Sequence, residues 1–305
     1  MFKSPQFHPG FMMIIDDAIQ KASVLIDAMP FIQAFRGETM VVKFGGSLLD
    51  DEADYADILR DIAFMEIIGL RPVVVHGGGK AISREMNKAG IAPNFVKGLR
   101  VTDEKTITIV ESTLNGEVNP QVCEVLERYQ AHAVGIKGQD IFNVVRHSEK
   151  DPETGKQLDW GFVGDVVGVN VEPILAAVKA GKIPVVTPLG SDSDGQVYNI
   201  NADVAAGAMA RQLQARKLVF LSDVPGILRD PSDKSSLISH LTLKDVEDLI
   251  AEGVIAGGML PKVSGAVKAI KAGIKKTHII DASLPHSLLL ELFTEQGVGT
   301  EIVAE

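Results

Sequence analysis

Cysteine is nearly missing: the single Cys123 in 305 residues excludes an internal disulfide. On an apolar helix face it reads as a small buried hydrophobe, and a reducing cytosol is the compartment expected. Long apolar runs are missing too, since none approaches the roughly 20 residues that span a bilayer. The stretch "FMMII" at 11–15 is short, has no basic leader and runs into Asp16 and Asp17, so no signal peptide is expected. Positive charge is in deficit, with 30 Lys and Arg against 40 Asp and Glu. The formal charge of −10 and pI near 5.2 argue against a general nucleic-acid binder. Neither a nucleic-acid nor a membrane partner is expected, and an anionic ligand must find a local positive pocket.

Several catalytic signatures are absent as well. No G-x-x-x-x-G-K-[ST] phosphate loop occurs, no "HRD" with "DFG", no G-x-S-x-G elbow, and no G-x-G-x-x-G after the first strand. These absences exclude the Walker and protein-kinase machinery and count against a serine hydrolase or a dinucleotide dehydrogenase.

What remains is an ordinary globular composition, 46% hydrophobic and 23% charged, in which strand-like and helix-like pieces alternate. Apolar residues from Ile15 to Met29 recur at helical spacing, with Pro30 as the expected end. This helix could pack on its own domain or against another subunit. "TMVVKF" and "PVVVH" read as buried strands flanking a helical stripe at Tyr55, Ile58, Leu59, Ile62 and Met65, which makes a βαβ unit. Beyond it come a helix over about 103–129, strands "HAVGI" and "IFNVV", and a polar hairpin-like excursion over 147–160. The second half continues with strand "KIPVVT", helix "NADVAAGAMARQLQ", strand "KLVFL", and a helix opened by Thr242 with Asp245 three residues on. A helix after "MLPK", strand "THIID", helix "HSLLLELF" and strand "TEIV" complete it. The fold class is α/β with a largely parallel central sheet.

Four glycine-bearing turns follow four of these strands: "KFGGS", "HGGGK", "TPLGSDSDG" and "SDVPGI". In an open α/β sheet the loops at the strand carboxyl ends bind ligands, and glycine lets backbone N–H groups come close to phosphate oxygens. "HGGG" alone is either an oxyanion-hole motif or a tight strand-to-helix turn. His76 reads as a strand-end residue, because no second His or Cys stands at metal-ligand spacing. Lys262 falls near a helix N-terminus, where a cation is disfavoured unless an anion is present.

The ordered set "VVKFGGS", "VVVHGGG", "GLRVTD", "YNINAD", "LSDVPGIL" and "GGMLPK" resembles the amino acid kinase family, and within it the N-acetyl-L-glutamate kinases. The resemblance runs from about Asp16 to the end. It implies a three-layer αβα sandwich preceded by an N-terminal helix, divided into a helical arm (1–36), an amino-acid-substrate lobe (37–200) and a nucleotide-binding lobe (201–305). It implies transfer of the γ-phosphoryl of ATP, with Mg²⁺ held by phosphates and water, to the side-chain carboxylate of N-acetyl-L-glutamate.

By match of motif, Lys43 and Lys262 are the catalytic cations and Asp203 holds both of them. Gly77, Gly78, Arg100 and Asn199 bind the amino acid. Gly45, Gly46, Asp223, Gly226 and Leu228 serve ATP, and Ser47 leaves room for its phosphates. The N-terminal helix and the C-terminal stretch resemble the arginine-inhibited hexameric branch, a trimer of dimers. There Lys217, His278, Glu291, Gly297 and Gly299 are the matching positions for L-arginine. Two features depart from that branch's pattern: Phe31 stands where tyrosine is common, and "DASLPHS" replaces a Gly-Arg-containing version. Other superfamily activities, such as glutamate 5-kinase or an aminoadipate-type kinase, and a catalytically silent arginine sensor, are the alternatives.

Overall fold

The structure is a computed structural model that describes residues 9–45, 52–151, 154–257, 259–294 and 297–305. Among them eight strands form one sheet: β1 (Thr39–Phe44), β2 (Arg71–His76), β3 (Ala133–Ile136), β4 (Ile183–Val186), β5 (Lys217–Ser222), β6 (His240–Thr242), β7 (Lys276–Asp281) and β8 (Thr300–Val303). Their order across the sheet is β6, β8, β7, β5, β1, β2, β4, β3. All neighbours pair in parallel except β7 with β8. The largely parallel α/β fold expected from the alternation is therefore present.

Strand alternation distributes the core over the two faces. Val41, Val73, Val75, Leu218 and Phe220 point into one apolar cluster, and Met40, Val42, Phe44, Val74, Val219 and Leu221 into the other. Among the described residues ten α-helices are numbered in chain order: α1 (Pro9–Phe35), α2 (Glu52–Ile67), α3 (Gly79–Lys88), α4 (Glu104–Thr113), α5 (Asn119–Arg128), α6 (Glu172–Lys179), α7 (Ala202–Gln212), α8 (Leu243–Ala251), α9 (Met259–Lys271) and α10 (Ser287–Phe293). The first cluster takes Ala205 and Met209 of α7, Val246 of α8 and Ala266 of α9; the second takes Leu59 of α2, Val122 of α5 and Leu288 of α10. This is a three-layer sandwich. Thr242 opens α8 with the expected capping box, its hydroxyl accepting from the Asp245 N–H while the Asp245 carboxylate accepts from the Thr242 N–H.

Three features differ from the sequence reading. Helix α1 runs through Pro30 to Phe35 instead of ending there. Proline leaves the carbonyl of Ile26 without its helical donor, and Ile26 is exposed, so water can take that place. Along this helix Ile19, Val24, Leu25 and Ile26 are more than half exposed, so the apolar stripe does not pack on its own chain. Strand Gly164–Val169 and helix α6 went unread. The strand joins Phe142–Arg146, Leu189–Ser191 and Val197–Asn199 in a second, four-stranded sheet. The excursion near 150 carries the hairpin expected there, Glu149–Lys150 against Gln157–Leu158.

Candidate active site

Parallel neighbours release their loops at the same edge, and β1 and β2 are such neighbours with Phe44 opposite His76. The Gly77 N–H donates to the Phe44 carbonyl at 2.7 Å. A Cβ placed on Gly45 would lie 2.8 Å from the Gly77 Cα, so the first two glycine turns touch backbone to backbone and only glycine fits at 45.

Alternation sends Lys43 to the same face as Val41, toward α7. There its Nζ lies 2.7 Å from Asp203 Oδ1, with both side chains mostly buried. Asn201 caps α7 by accepting from the N–H groups of Asp203 and Val204, which places Asp203 in the first turn, where a carboxylate is favoured. Helix α9 packs on α7 through small residues. A Cβ on Gly265 would lie 2.9 Å from the Asp203 Cβ, and one on Gly207 3.3 Å from the Ala269 Cβ. That close crossing brings Lys262, in the first turn of α9, to the same cleft.

Here the structure departs from the expectation that Asp203 holds both lysines. Lys262 donates instead to Asp223, which follows directly on β5. This hydrogen bond, above all, holds the Asp223 carboxyl below its ordinary pKa. The cleft, about 210 Å³, is lined by Lys43, Gly45, Asp203, Asp223 and Lys262 with the ends of β5 and β7. Gly226 and Leu228 do not line it: Gly226 is buried at φ +138°, turned against Thr300, whose hydroxyl accepts from the Ile227 N–H. Gly46 and Ser47 lie outside the described residues.

A second cleft, about 160 Å³, opens on the other side of the glycine contact and brings together Gly77, Gly78, Arg100 and Asn199 with Ile82, Phe95 and Leu114. Arg100 is only 7% exposed. Its guanidinium donates to the Gly79 carbonyl at 2.8 Å and to the Ser83 hydroxyl at 2.9 Å, and stacks 4.7 Å from the Phe95 ring centre. None of these partners is a carboxylate, and burial pulls its pKa down. A buried cation without an opposite charge among the described residues is a site for an anion. The Asn199 amide donates to Thr102 at a long 3.4 Å and faces the same space.

The third constellation lies at the opposite edge of the sheet. Lys217 begins β5 and Ser222 ends it, so the cleft at Lys217 is about 17 Å of strand away from the first. It measures about 440 Å³ and is lined by Lys217, His278, Glu291, Gly297 and Gly299, together with Ser239, His240, Lys276 and Glu301. His278 stands 2.6 Å from Glu291 and 3.7 Å from Glu301. Burial lowers the Lys217 pKa. Gly297, at φ +61°, lets its backbone pass against the Glu291 carboxylate, which accepts from the Val298 N–H. Phe31 packs edge-on against Phe293 at 6.5 Å. Sequence reading missed Glu301, although Lys276 and His240 both reach it, at 2.8 and 2.9 Å; the β7–β8 pairing that aligns His278 with Glu301 is antiparallel and nonlocal.

The amino acid kinase family pattern matches residues 38–281. Acetylglutamate kinases of Akkermansia muciniphila and Archaeoglobus fulgidus are 47% and 45% identical to the chain, over 94% and 93% of it and 97% and 99% of their own lengths. The structure of an N-acetylglutamate synthase from Neisseria gonorrhoeae complexed with coenzyme A and N-acetyl-glutamate superposes with TM-score 0.80 at 27% identity; it covers 93% of this chain, which spans 63% of the synthase. A synthase structure from the same organism with coenzyme A and L-arginine has TM-score 0.77 at 26% identity, covering 93% of this chain and 65% of its own.

The α7–α9 crossing carries a direct test. Gly265→Ala forces the helices apart at Asp203 and is expected to cost about 1–3 kcal/mol of stability in urea unfolding. An unchanged midpoint contradicts the packing described.

Proposed function

The chain belongs to the amino acid kinase family and, within it, to the acetylglutamate kinases, and on that premise we propose how its clefts share one reaction. It phosphorylates the side-chain carboxylate of N-acetyl-L-glutamate with ATP, forming N-acetyl-L-glutamyl 5-phosphate in arginine biosynthesis. The nucleophile is already ionised near neutral pH, so no strong base is needed. The obstacle is repulsion between two anions, and cations and N–H dipoles must offset it.

Residues 37–200 form the amino-acid lobe in this reading and 201–305 the nucleotide lobe. Arg100 takes the α-carboxylate of N-acetylglutamate through its planar fork, and Asn199 takes the amide. Gly77 and Gly78 flank the reacting carboxylate. ATP enters the first cleft, with Gly45 and Asp223 in its lining. Lys43 and Lys262 take up the charge of the phosphoryl group in transfer. Lys43 is held by Asp203 throughout. The Lys262–Asp223 pair is more exposed, and such pairs are worth about 1 kcal/mol or less, so nucleotide phosphates can draw Lys262 away. No group of three or more His, Cys, Asp or Glu among the described residues is placed to hold a metal, and Mg²⁺ enters on the ATP phosphates and water. The observation that carries this reading is the Gly45–Gly77 contact, where the lysine-lined cleft and the Arg100 pocket meet.

The third cleft fits L-arginine as an inhibitor, with Glu291 for the guanidinium and Lys217 for the α-carboxylate. The exposed apolar residues of α1 fit self-association of the 1–36 arm into a homo-hexamer, arranged as a trimer of dimers.

Purified protein with MgATP is expected to phosphorylate N-acetylglutamate and leave free glutamate and aminoadipate nearly untouched; the reverse preference refutes the assignment. Lys43→Ala and Lys262→Ala should each lower kcat by about 10²-fold or more with melting temperature little changed. Near-normal turnover in either removes it from the catalytic set. Truncation of residues 1–36 should abolish hexamers and most arginine inhibition while sparing kinase activity, and hexamers persisting in light scattering contradict the role given to the arm.

A further inference from the structure

His76 ends strand β2, and its surroundings are specific. Alternation turns it to the face opposite Lys43, toward α5, where it is fully buried. One ring nitrogen, Nδ1, is 2.8 Å from the Gly77 carbonyl oxygen; the other, Nε2, is 3.0 Å from the Asn119 side-chain nitrogen. That same amide donates to the Val185 carbonyl at 2.9 Å, which fixes its NH₂ end toward the ring. An amide NH₂ can only donate, so Nε2 accepts and Nδ1 carries the proton that goes to Gly77. Burial pushes the imidazole pKa down to about 4, so the ring stays neutral near pH 7 and this one tautomer persists.

Asn119 is itself delivered by an irregularity. Helices α4 and α5 are joined by a π-helical turn, Leu114–Val118, and Asn119 follows it directly. Such turns insert an extra residue and often mark functional sites. Leu114 packs on Gly78, where a Cβ would come within 2.5 Å of its Cδ2. Gly135 makes room for the amide, since a Cβ there would lie 2.1 Å from Asn119 Oδ1. The turn and the residue after it thus grip the Gly77–Gly78 segment from two sides. In a planar trans peptide, fixing the Gly77 carbonyl also fixes the direction of the Gly78 N–H.

We propose that His76 and Asn119 are positioning residues that hold the Gly77–Gly78 peptide in its orientation for phosphoryl transfer without touching either substrate. Neither side chain lines the two clefts. The inference rests on the acceptor-pocket reading above and adds to it the device that aims the pocket's peptide N–H. Misplacement of a reacting group by an ångström costs on the order of 10²-fold in rate, which sets the expected size.

The test compares wild type, His76→Leu, His76→Asn and Asn119→Leu with MgATP and N-acetylglutamate, with kcat counted per folded molecule. In His76→Asn the amide nitrogen stands near the former Nδ1 and can still donate to Gly77. His76→Leu and Asn119→Leu should lose roughly 30- to 100-fold in kcat, with KM for ATP within about threefold, and His76→Asn should recover most of the loss. ¹⁵N NMR of the wild-type ring should show the proton on Nδ1, a readout that does not depend on any variant folding. Full turnover in His76→Leu, no recovery in His76→Asn, or a proton on Nε2 overturns the proposal while an active wild type leaves the functional reading standing. Wild type inactive on N-acetylglutamate overturns both.

Discussion

The close approach of Gly45 to Gly77 is the constraint on which the rest of the site depends. Two adjacent parallel strands end side by side, and because neither turn carries a side chain at the contact, two clefts share one seam. On one side stand Lys43 and Lys262, on the other the buried Arg100. An alanine at 45 would push the β1 and β2 loops apart, and with them the two clefts. The same strand alternation that sends Lys43 toward Asp203 sends His76 toward Asn119, so the sandwich supports the seam from both layers.

The opposite edge of the sheet has a different electrostatic character. Lys217 and His278 begin or lie early in strands that reach the first cleft at Ser222 and Ile279. In the proposed regulation an arginine at Glu291 acts on β5, which runs straight to Asp223 of the Lys262–Asp223 pair. Phe31 and Phe35 tie the end of α1 to this region, through Phe293 and across Lys217, so the arm and the proposed arginine cleft share contacts.

Much of this was legible in the sequence because buried parallel strands appear as continuous apolar runs closed by glycine. "TMVVKF", "PVVVH" and "KLVFL" lie at their expected places, as do the capping box at Thr242 and the long helical stretch after Asp103. The grouping of Gly77, Gly78, Arg100 and Asn199 in one cleft was an implication of the family resemblance, not of periodicity or spacing. What escaped depends on partners distant in sequence. Strand Gly164–Val169 has two glycines and earns its place by pairing with Phe142–Arg146. The Lys262–Asp223 pair, Glu301 beneath His278, and Asn119 beneath His76 are set by crossings that no periodicity encodes. Pro30 misled because an exposed helix can leave one carbonyl to water.

In the proposed reaction Lys43 depends on Asp203 to hold it at the seam, and Asp203→Asn tests that dependence most directly, since it keeps the size and the helix-start position of the side chain while removing its charge. Steady-state kinetics should show kcat reduced by about 10²-fold, with KM for ATP and for N-acetylglutamate each within about threefold. Wild-type kcat in this variant would contradict the account and reduce Asp203 to a favourable residue at the start of α7.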